Sequence, residues 1–350
     1  MGRDQWKIEP ANRLLSNQTN MRVEPPNFFG RLVFFVPTTY GCTLRPYDRT
    51  LHLDGCSTDK FSKPMTVHIP VLLDEALQWL DLQPGQVVVD GTMGGGGHTR
   101  EFAKAVGPTG RVIALDRDPS AVERIELPEN VTAVAANFAD TPEVLKRLEI
   151  AAVDGIFLDL GLSSDQLAAD DRGFSFNATG SLDLRFDQTA GQPAWELLEE
   201  LNEKDLADLI YEFGEERLSR RIARKIVEQR STRTIRSAAE LAELLRSCVP
   251  RSKNHSIDPA TRTFQALRIA VNEELKWLKI SLERLPNCLR PGGRLGIISF
   301  HSLEDRMVKH DFRNNDLLKV ETKKPILPSE LEVYENPRSR SAKLRFVSRS

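Results

Sequence analysis

Two stretches concentrate residues able to do chemistry. The first is Asp90-Gly-Thr-Met-Gly-Gly-Gly-Gly-His98, directly after the apolar run Gln86–Asp90. Glycines permit a sharp turn and let a ligand approach the backbone. A helix that follows such a turn offers free N–H groups and a positive dipole end to an anion. That anion is a pyrophosphate in a dinucleotide enzyme and a carboxylate when the ligand is S-adenosylmethionine. Asp116 closes the next apolar run, Arg111–Asp116, about 20 residues past the glycines, where an acid accepts hydrogen bonds from ribose hydroxyls. Asp90 stands at a strand end, where a carboxylate meets an ammonium. The spacing G-x-G-x-x-G is absent, which counts against NAD, and G-x-x-x-x-G-K-[ST] is absent, which counts against a P-loop NTPase. The bland alternatives are a tight strand–helix turn for the glycines and a solvated strand end or helix cap for Asp116.

The second stretch is Leu158-Asp-Leu-Gly-Leu-Ser-Ser164, followed by Gln166. Ligands sit at the carboxyl ends of strands in open α/β sheets, so Asp159 is expected at the mouth of the same cleft. Alternatively, Asp159 and Ser163 cap the following segment. Phe174 and Phe176 in RGFSF could stack an extruded base or simply pack a domain junction. Arg262 and Arg268 suit either phosphate contacts or junction salt bridges. His301 ends a later strand, where a lone histidine is more often structural than a base. Two local runs are strongly basic, Arg217–Arg236 and Arg338–Arg349, the latter without an acid. Within them Arg220, Arg221, Arg224 and Lys225, and Arg338 and Arg340, are candidates for gripping nucleic-acid phosphates.

Positioning these residues requires a regular scaffold. Apolar runs at Gln86–Asp90, Arg111–Asp116, Val131–Ala136 and Val153–Leu160 read as strands. Helical patterns at Pro70–Leu80, Gly97–Val106, Pro119–Ile125 and Thr141–Leu148 alternate with them, as in a parallel doubly wound α/β sheet. The alternation stops over residues 166–261, where only helical patterns occur: Trp195–Asn202, Glu203–Phe213, Glu215–Arg230 and Ser237–Cys248. That is a domain-sized insertion. The alternation resumes with one long helix over Thr263–Pro286, a strand at Arg294–Phe300 and a helix at Leu303–Phe312. Leu317–Glu321 and Ala342–Val347 are expected to pair as the last strands. The sheet domain therefore comprises 65–165 and 262–350. Residues 1–64 show little periodicity and read as a disordered arm or as sequence preceding a true start at Met65.

Bulk properties narrow the classes. No apolar run among the 350 residues approaches the ~20 needed to span a bilayer. Four cysteines and six histidines show no metal-ligand spacing, so no metal site is expected, and the setting is expected to be reducing and cytoplasmic. A net charge of −2 means that any nucleic-acid affinity must come from local basic surfaces.

Eleven motifs occur in one order: HIPVLLDEAL, DGTMGGGGHT, ALDRDP, LDLGLSSDQL, RGFSF, LDLRFD, GEERLSRRIARKIV, PATRTFQALRI, LRPGGRL, ISFHSLEDR and ENPRSRSAKLR. Together they resemble the RsmH (MraW) family of 16S ribosomal RNA cytosine-N4 methyltransferases, over roughly residues 65–350. The resemblance implies a class I S-adenosylmethionine-dependent methyltransferase fold, Rossmann-like, with an inserted all-helical domain. It implies cofactor contacts at Gly96, Gly97, His98, Asp116, Phe138, Asp159 and Gln166, and a target cytosine in the decoding region of the small ribosomal subunit. Asp159 becomes the candidate acceptor at the reacting amine. A homodimer is left open. The competing classes are a nicotinamide oxidoreductase, a non-catalytic RNA-binding assembly factor, and an N-methyltransferase acting on protein or DNA.

Overall fold

In the computed structural model, four short apolar segments line up as parallel strands: β1 (Val87–Asp90), β2 (Arg111–Asp116), β3 (Val131–Ala135) and β4 (Val153–Asp159). Their side chains alternate between the two faces of the sheet. Val89, Ile113, Leu115, Ile156 and Leu158 enter one core, and Val88, Val112 and Phe157 enter the other. Burial on both faces explains why these runs read as continuously apolar. The structure describes residues 69–162, 166, 170–176, 178, 180–249 and 258–350, all within one compact unit, Thr66–Ser350. The expected arm at 1–64 and the capping role of Ser163 lie outside the described residues.

The connecting helices are α1 (Leu73–Leu80), α2 (Gly97–Val106), α3 (Pro119–Arg124) and α4 (Thr141–Arg147). The helical stretch that follows contains α5 (Ala194–Glu200), α6 (Glu203–Gly214), α7 (Ser219–Arg230) and α8 (Ala238–Cys248). Their apolar stripes meet in a core of their own, with Leu206, Ile210, Ile222, Ile226, Leu241 and Leu245 at its centre. Asn202 caps α6, and a capping box of Ser237 and Glu240 opens α8, which satisfies N–H groups a helix start leaves unpaired. The helical core also takes in Phe264, Ala266 and Leu267 of α9 (Thr261–Asn272), so the helical layer does not stop at residue 261.

The expected single helix over 263–286 is broken. Helix α9 ends at Asn272, Glu273 takes a left-handed backbone (φ 50°), and α10 (Glu274–Arg284) starts afresh. Side-chain chemistry from elsewhere accounts for the break. The Arg117 guanidinium donates to the Asn272 carbonyl at 2.9 Å, an acceptor that a continuous helix needs for its own ladder. The Asn272 side chain is also committed, donating to the Leu184 carbonyl and accepting from the Phe186 N–H.

The chain then adds β5 (Leu289–Ser299), α11 (Ser302–Asn314), β6 (Leu318–Val320), a short helix α12 (Glu330–Glu335) and β7 (Lys343–Arg349). The sheet order is β3-β2-β1-β4-β5-β7-β6, with β7 antiparallel to both of its neighbours. Strand order reverses between β1 and β4, the position at which doubly wound sheets open a crevice for ligands. Asp90 is in register with Phe157, and Asp159 with Ile298, so the acidic strand ends share one edge of the sheet.

Candidate active site

A cleft opens at that edge. It is lined by the glycine turn (Gly91–Gly95 and Gly97), His98, Asp116, Arg117, Phe138, Asp159–Leu162, Gln166 and Phe186, and by Glu274, Trp277, Leu278 and Glu304. The turn is built for close approach. A Cβ on Gly91 would run into the Leu158 side chain and come within 3.0 Å of Phe138 Cβ, and one on Gly97 would lie 2.5 Å from the Pro70 ring. Asp116 braces the turn by accepting the Gly94 N–H, and its other oxygen accepts the Asp118 N–H, both at 2.8 Å. Burial nevertheless pushes the Asp116 carboxyl above its ordinary pKa, which makes a further donor, such as a hydroxyl, welcome there.

His98 and Asp159 form the floor. His98 Nε2 lies 3.0 Å from the Val71 carbonyl, a contact that requires the proton on Nε2. Burial lowers the pKa of the ring, which favours the neutral form with Nδ1 as an acceptor. Nδ1 is 3.8 Å from Asp159 Oδ2. Asp159 is fixed through its backbone, whose N–H donates to Thr92 Oγ1 at 2.6 Å, and through Oδ1, which accepts the Gly161 N–H at 3.2 Å. Two acceptors side by side suit a cationic or N–H-bearing ligand.

Several expectations are corrected. Asp90 is 1 % exposed and does not reach the cleft. Its oxygens take the Thr99 hydroxyl at 2.6 Å and the Thr92 N–H at 3.1 Å, so it shapes the glycine turn from below. Gly96 is not among the cleft-lining residues, and its N–H donates to the Met93 carbonyl at 2.7 Å. Phe174 is buried and stacked on Phe186, and Phe176 packs edge-on against Phe264. The Phe174 ring is thereby taken up by the helical core, whereas Phe176 is half-buried against it. Of the two arginines left open, Arg268 is a junction ion pair, bidentate on Glu274 at 2.8 and 2.9 Å. Arg262 is 3.7 Å from Glu216, and its side chain is 53 % exposed. Arg220, Arg221, Arg224, Lys225, Arg338 and Arg340 are all exposed.

The wall formed by Glu274, Trp277 and Leu278 was not legible in the sequence, because it depends on the break after Asn272. Glu304 belongs to the same wall. It is 2 % exposed and accepts the Phe300 and His301 N–H groups. Burial alone would raise its pKa, but His301 and Arg268 hold it below the ordinary value. Glu274, His301 and Glu304 bring ligand-type atoms within 4.8 Å of one another, yet their bonding is that of an ion-pair network. His301 Nδ1 accepts the Glu304 N–H at 3.4 Å, which places the ring proton on Nε2, and both Glu274 oxygens hold Arg268.

Comparison with known proteins agrees with this architecture. Residues 65–350 match the model of the MraW methylase family. A protein of Rhodopirellula baltica named ribosomal RNA small subunit methyltransferase H is 46 % identical, over 87 % of this chain and 98 % of the relative. Proteins of the same name from Cyanothece sp. and Synechococcus elongatus are 49 % and 50 % identical, covering 82 % and 81 % of this chain and 96 % and 94 % of their own.

Proposed function

The chain belongs to the MraW methylase family, and from that premise we propose that it methylates small-subunit ribosomal RNA at the N4 amine of a cytosine in the decoding region, using S-adenosylmethionine. The observation that carries this reading is the cleft itself: a glycine turn with no room for a Cβ at Gly91 or Gly97, with Asp116 on one side and the His98–Asp159 floor on the other. The N-terminus of α2 at Gly97 faces a carboxylate. His98 Nδ1 and Asp159 would receive an ammonium, Asp116 would receive the ribose, and Phe138 and Leu278 would give an apolar wall for a purine, with Gln166 also lining the cleft. The relatives' printed name supports RNA of the small subunit as acceptor. In this setting the protein works in the cytoplasm; no helix among the described residues is long and apolar enough to cross a membrane.

S-adenosylmethionine supplies a methyl group on a cationic sulfur, open to attack in line with the departing sulfur. A cytosine N4 lone pair is delocalised into the ring and is a poor nucleophile. The protein therefore has to hold N4 about 3–3.5 Å from the methyl carbon. Asp159 would accept an N–H of that amine and offset the positive charge that develops as the N–C bond forms and the C–S bond breaks. The methylated amine then gives up one N–H proton, for which the Asp159 carboxylate and, through it, solvent are the outlet, and the Leu160 carbonyl is a neighbouring acceptor. The bond from the Asp159 N–H to Thr92 ties this acceptor to the glycine turn, so amine and cofactor are positioned by one rigid piece of backbone.

The test is transfer of label from S-adenosylmethionine to small ribosomal subunits taken from a strain lacking the activity. Label recovered as N4-methylcytidine is the expected result. Cofactor binding with no labelled RNA would point to another acceptor, and absence of cofactor binding would remove the methyltransferase reading.

RNA grip is assigned to the exposed face of α7, with Arg262, Arg338 and Arg340 as further contacts. Arg220, Arg224 and Lys225 pair with acids only at 3.3–3.5 Å across exposed side chains, and such pairs contribute little and exchange readily. Reversing the charge of Arg220, Arg221, Arg224 and Lys225 is expected to weaken RNA binding and to flatten its dependence on salt, by about 0.7–0.9 in the log–log slope for each lost phosphate contact. RNA affinity at wild-type level across a salt series would rule this surface out.

A further inference from the structure

On the β5 side of the cleft, a group of donors already holds an anion. Glu215 follows α6 in a left-handed backbone, φ 49°. Its carboxylate accepts the Ser302 hydroxyl and pairs with Arg306 at 3.0 Å. Arg262 donates to the Glu215 carbonyl at 3.4 Å. Ser302 and Arg306 belong to α11, whose Glu304 lines the cleft, so this contact joins the helical layer to the sheet at the rim. The pair remains open to solvent, with the Arg306 side chain 51 % and the Glu215 side chain 43 % exposed.

The neighbouring acids are otherwise committed. Glu304 is spent on the Phe300 and His301 N–H groups, and Asp305 on Arg345 and Lys343. Glu215 is thus the acid paired with Arg306. The Ser302 hydroxyl, with Arg306 and His301, holds its carboxyl below the ordinary carboxylate pKa, so it stays an anion at neutral pH.

We propose that Ser302, Arg306 and Arg262 form a phosphate site for the RNA backbone, with the Glu215 carboxylate as its resident stand-in, displaced when RNA binds. Carboxylate and phosphate oxygens use the same donors, and a guanidinium suits either. An exposed carboxylate pair is weak, so exchange costs little, whereas a phosphate brings counterion release. Glu215 is then an internal competitor that screens Arg306 until a polyanion arrives, while Arg262 stands beside it, held by the Glu215 main-chain carbonyl and 3.7 Å from the Glu216 carboxylate. The inference rests on the proposal that RNA is the substrate.

The experiment measures binding of a fluorescent RNA hairpin with the decoding-region sequence to the full chain, over a series of KCl concentrations. Glu215→Gln keeps the side-chain shape and removes the competing charge. It is expected to bind RNA about 2–5-fold more tightly at unchanged affinity for S-adenosylmethionine, and adding Arg306→Gln should abolish the gain. RNA affinity that is unchanged or weaker in Glu215→Gln, with wild-type melting temperature, overturns the proposal. So does a gain that survives the loss of Arg306. If Glu215→Gln melts early, the single variant Arg306→Gln decides. It should weaken binding and flatten the salt slope by about one, and wild-type binding by it refutes the site. RNA binding indifferent to these residues, or no binding of the hairpin by the wild-type protein, refutes the site, whereas the functional reading stands or falls separately on label transfer to small subunits.

Discussion

Asp159→Asn is expected to lower turnover about 100–1000-fold while the protein folds normally and still binds S-adenosylmethionine. The substitution is close to isosteric. An asparagine oxygen can keep the Gly161 N–H, now at 3.2 Å, and the bond from residue 159's backbone to Thr92 Oγ1 is untouched. What disappears is the negative charge beside the reacting amine. That charge matters most as positive charge develops on nitrogen, so its loss falls on the transition state more than on the bound substrates. Single-turnover rates with saturating RNA, set beside cofactor affinity by calorimetry, separate the two. Normal turnover combined with weakened cofactor binding would show that Asp159 serves only the methionine end of the cofactor, and the proposed role would fail.

Arg268→Met should destabilise the fold by about 3–5 kcal/mol, the usual consequence of removing one partner from a buried ion pair. The Arg268 and Glu274 side chains are 14 % and 10 % exposed and joined by two bonds. Without the guanidinium, largely buried Glu274 loses its partner and the neighbouring Glu304 loses one of the charges that hold it down. The effect should survive high salt, because screening acts poorly on buried charge. Acid sensitivity should shift as well. A carboxylate with a depressed native pKa contributes stability above its unfolded pKa and loses it as pH falls through the native value. Glu304 is such a group, held down by His301 and Arg268. Removing Arg268 raises the native pKa of Glu304, so its contribution shrinks and is lost at a higher pH on acidification. Urea unfolding at neutral and mildly acidic pH measures both effects. A loss below about 1 kcal/mol, the size of an exposed pair, would show that the network is not the buried ion pair its geometry indicates.

Much of the fold was legible because its signals are local. Apolar runs of strand length, the glycine turn and the switch to purely helical periodicity after residue 166 each depend on near neighbours. The acids Asp90, Asp116 and Asp159 could be placed at strand ends on the same grounds. Their roles could not, because an acid at a strand end can face the cleft or turn beneath it. Asp90 turned beneath, since Thr99 in the first turn of α2 supplies a hydroxyl at 2.6 Å. Asp159 lines the cleft beside Gly161, and His98 stands 3.8 Å away.

The wall of the cleft lay further out of reach. An uninterrupted helical pattern over 263–286 gives no hint that Arg117, far away in sequence, takes the Asn272 carbonyl and that the chain restarts at Glu274. From the sequence Phe174 and Phe176 suited either base stacking or junction packing, and only the structure shows Phe174 stacked on Phe186 and Phe176 edge-to-face with Phe264. By itself, the sequence determined the α/β scaffold, the helical insertion and the glycine turn, because short-range periodicity and backbone sterics specify them. The tertiary structure decided which acids face the cleft, where the helix breaks and which cations carry a partner, because those outcomes depend on hydrogen bonds and ion pairs between residues distant in the chain.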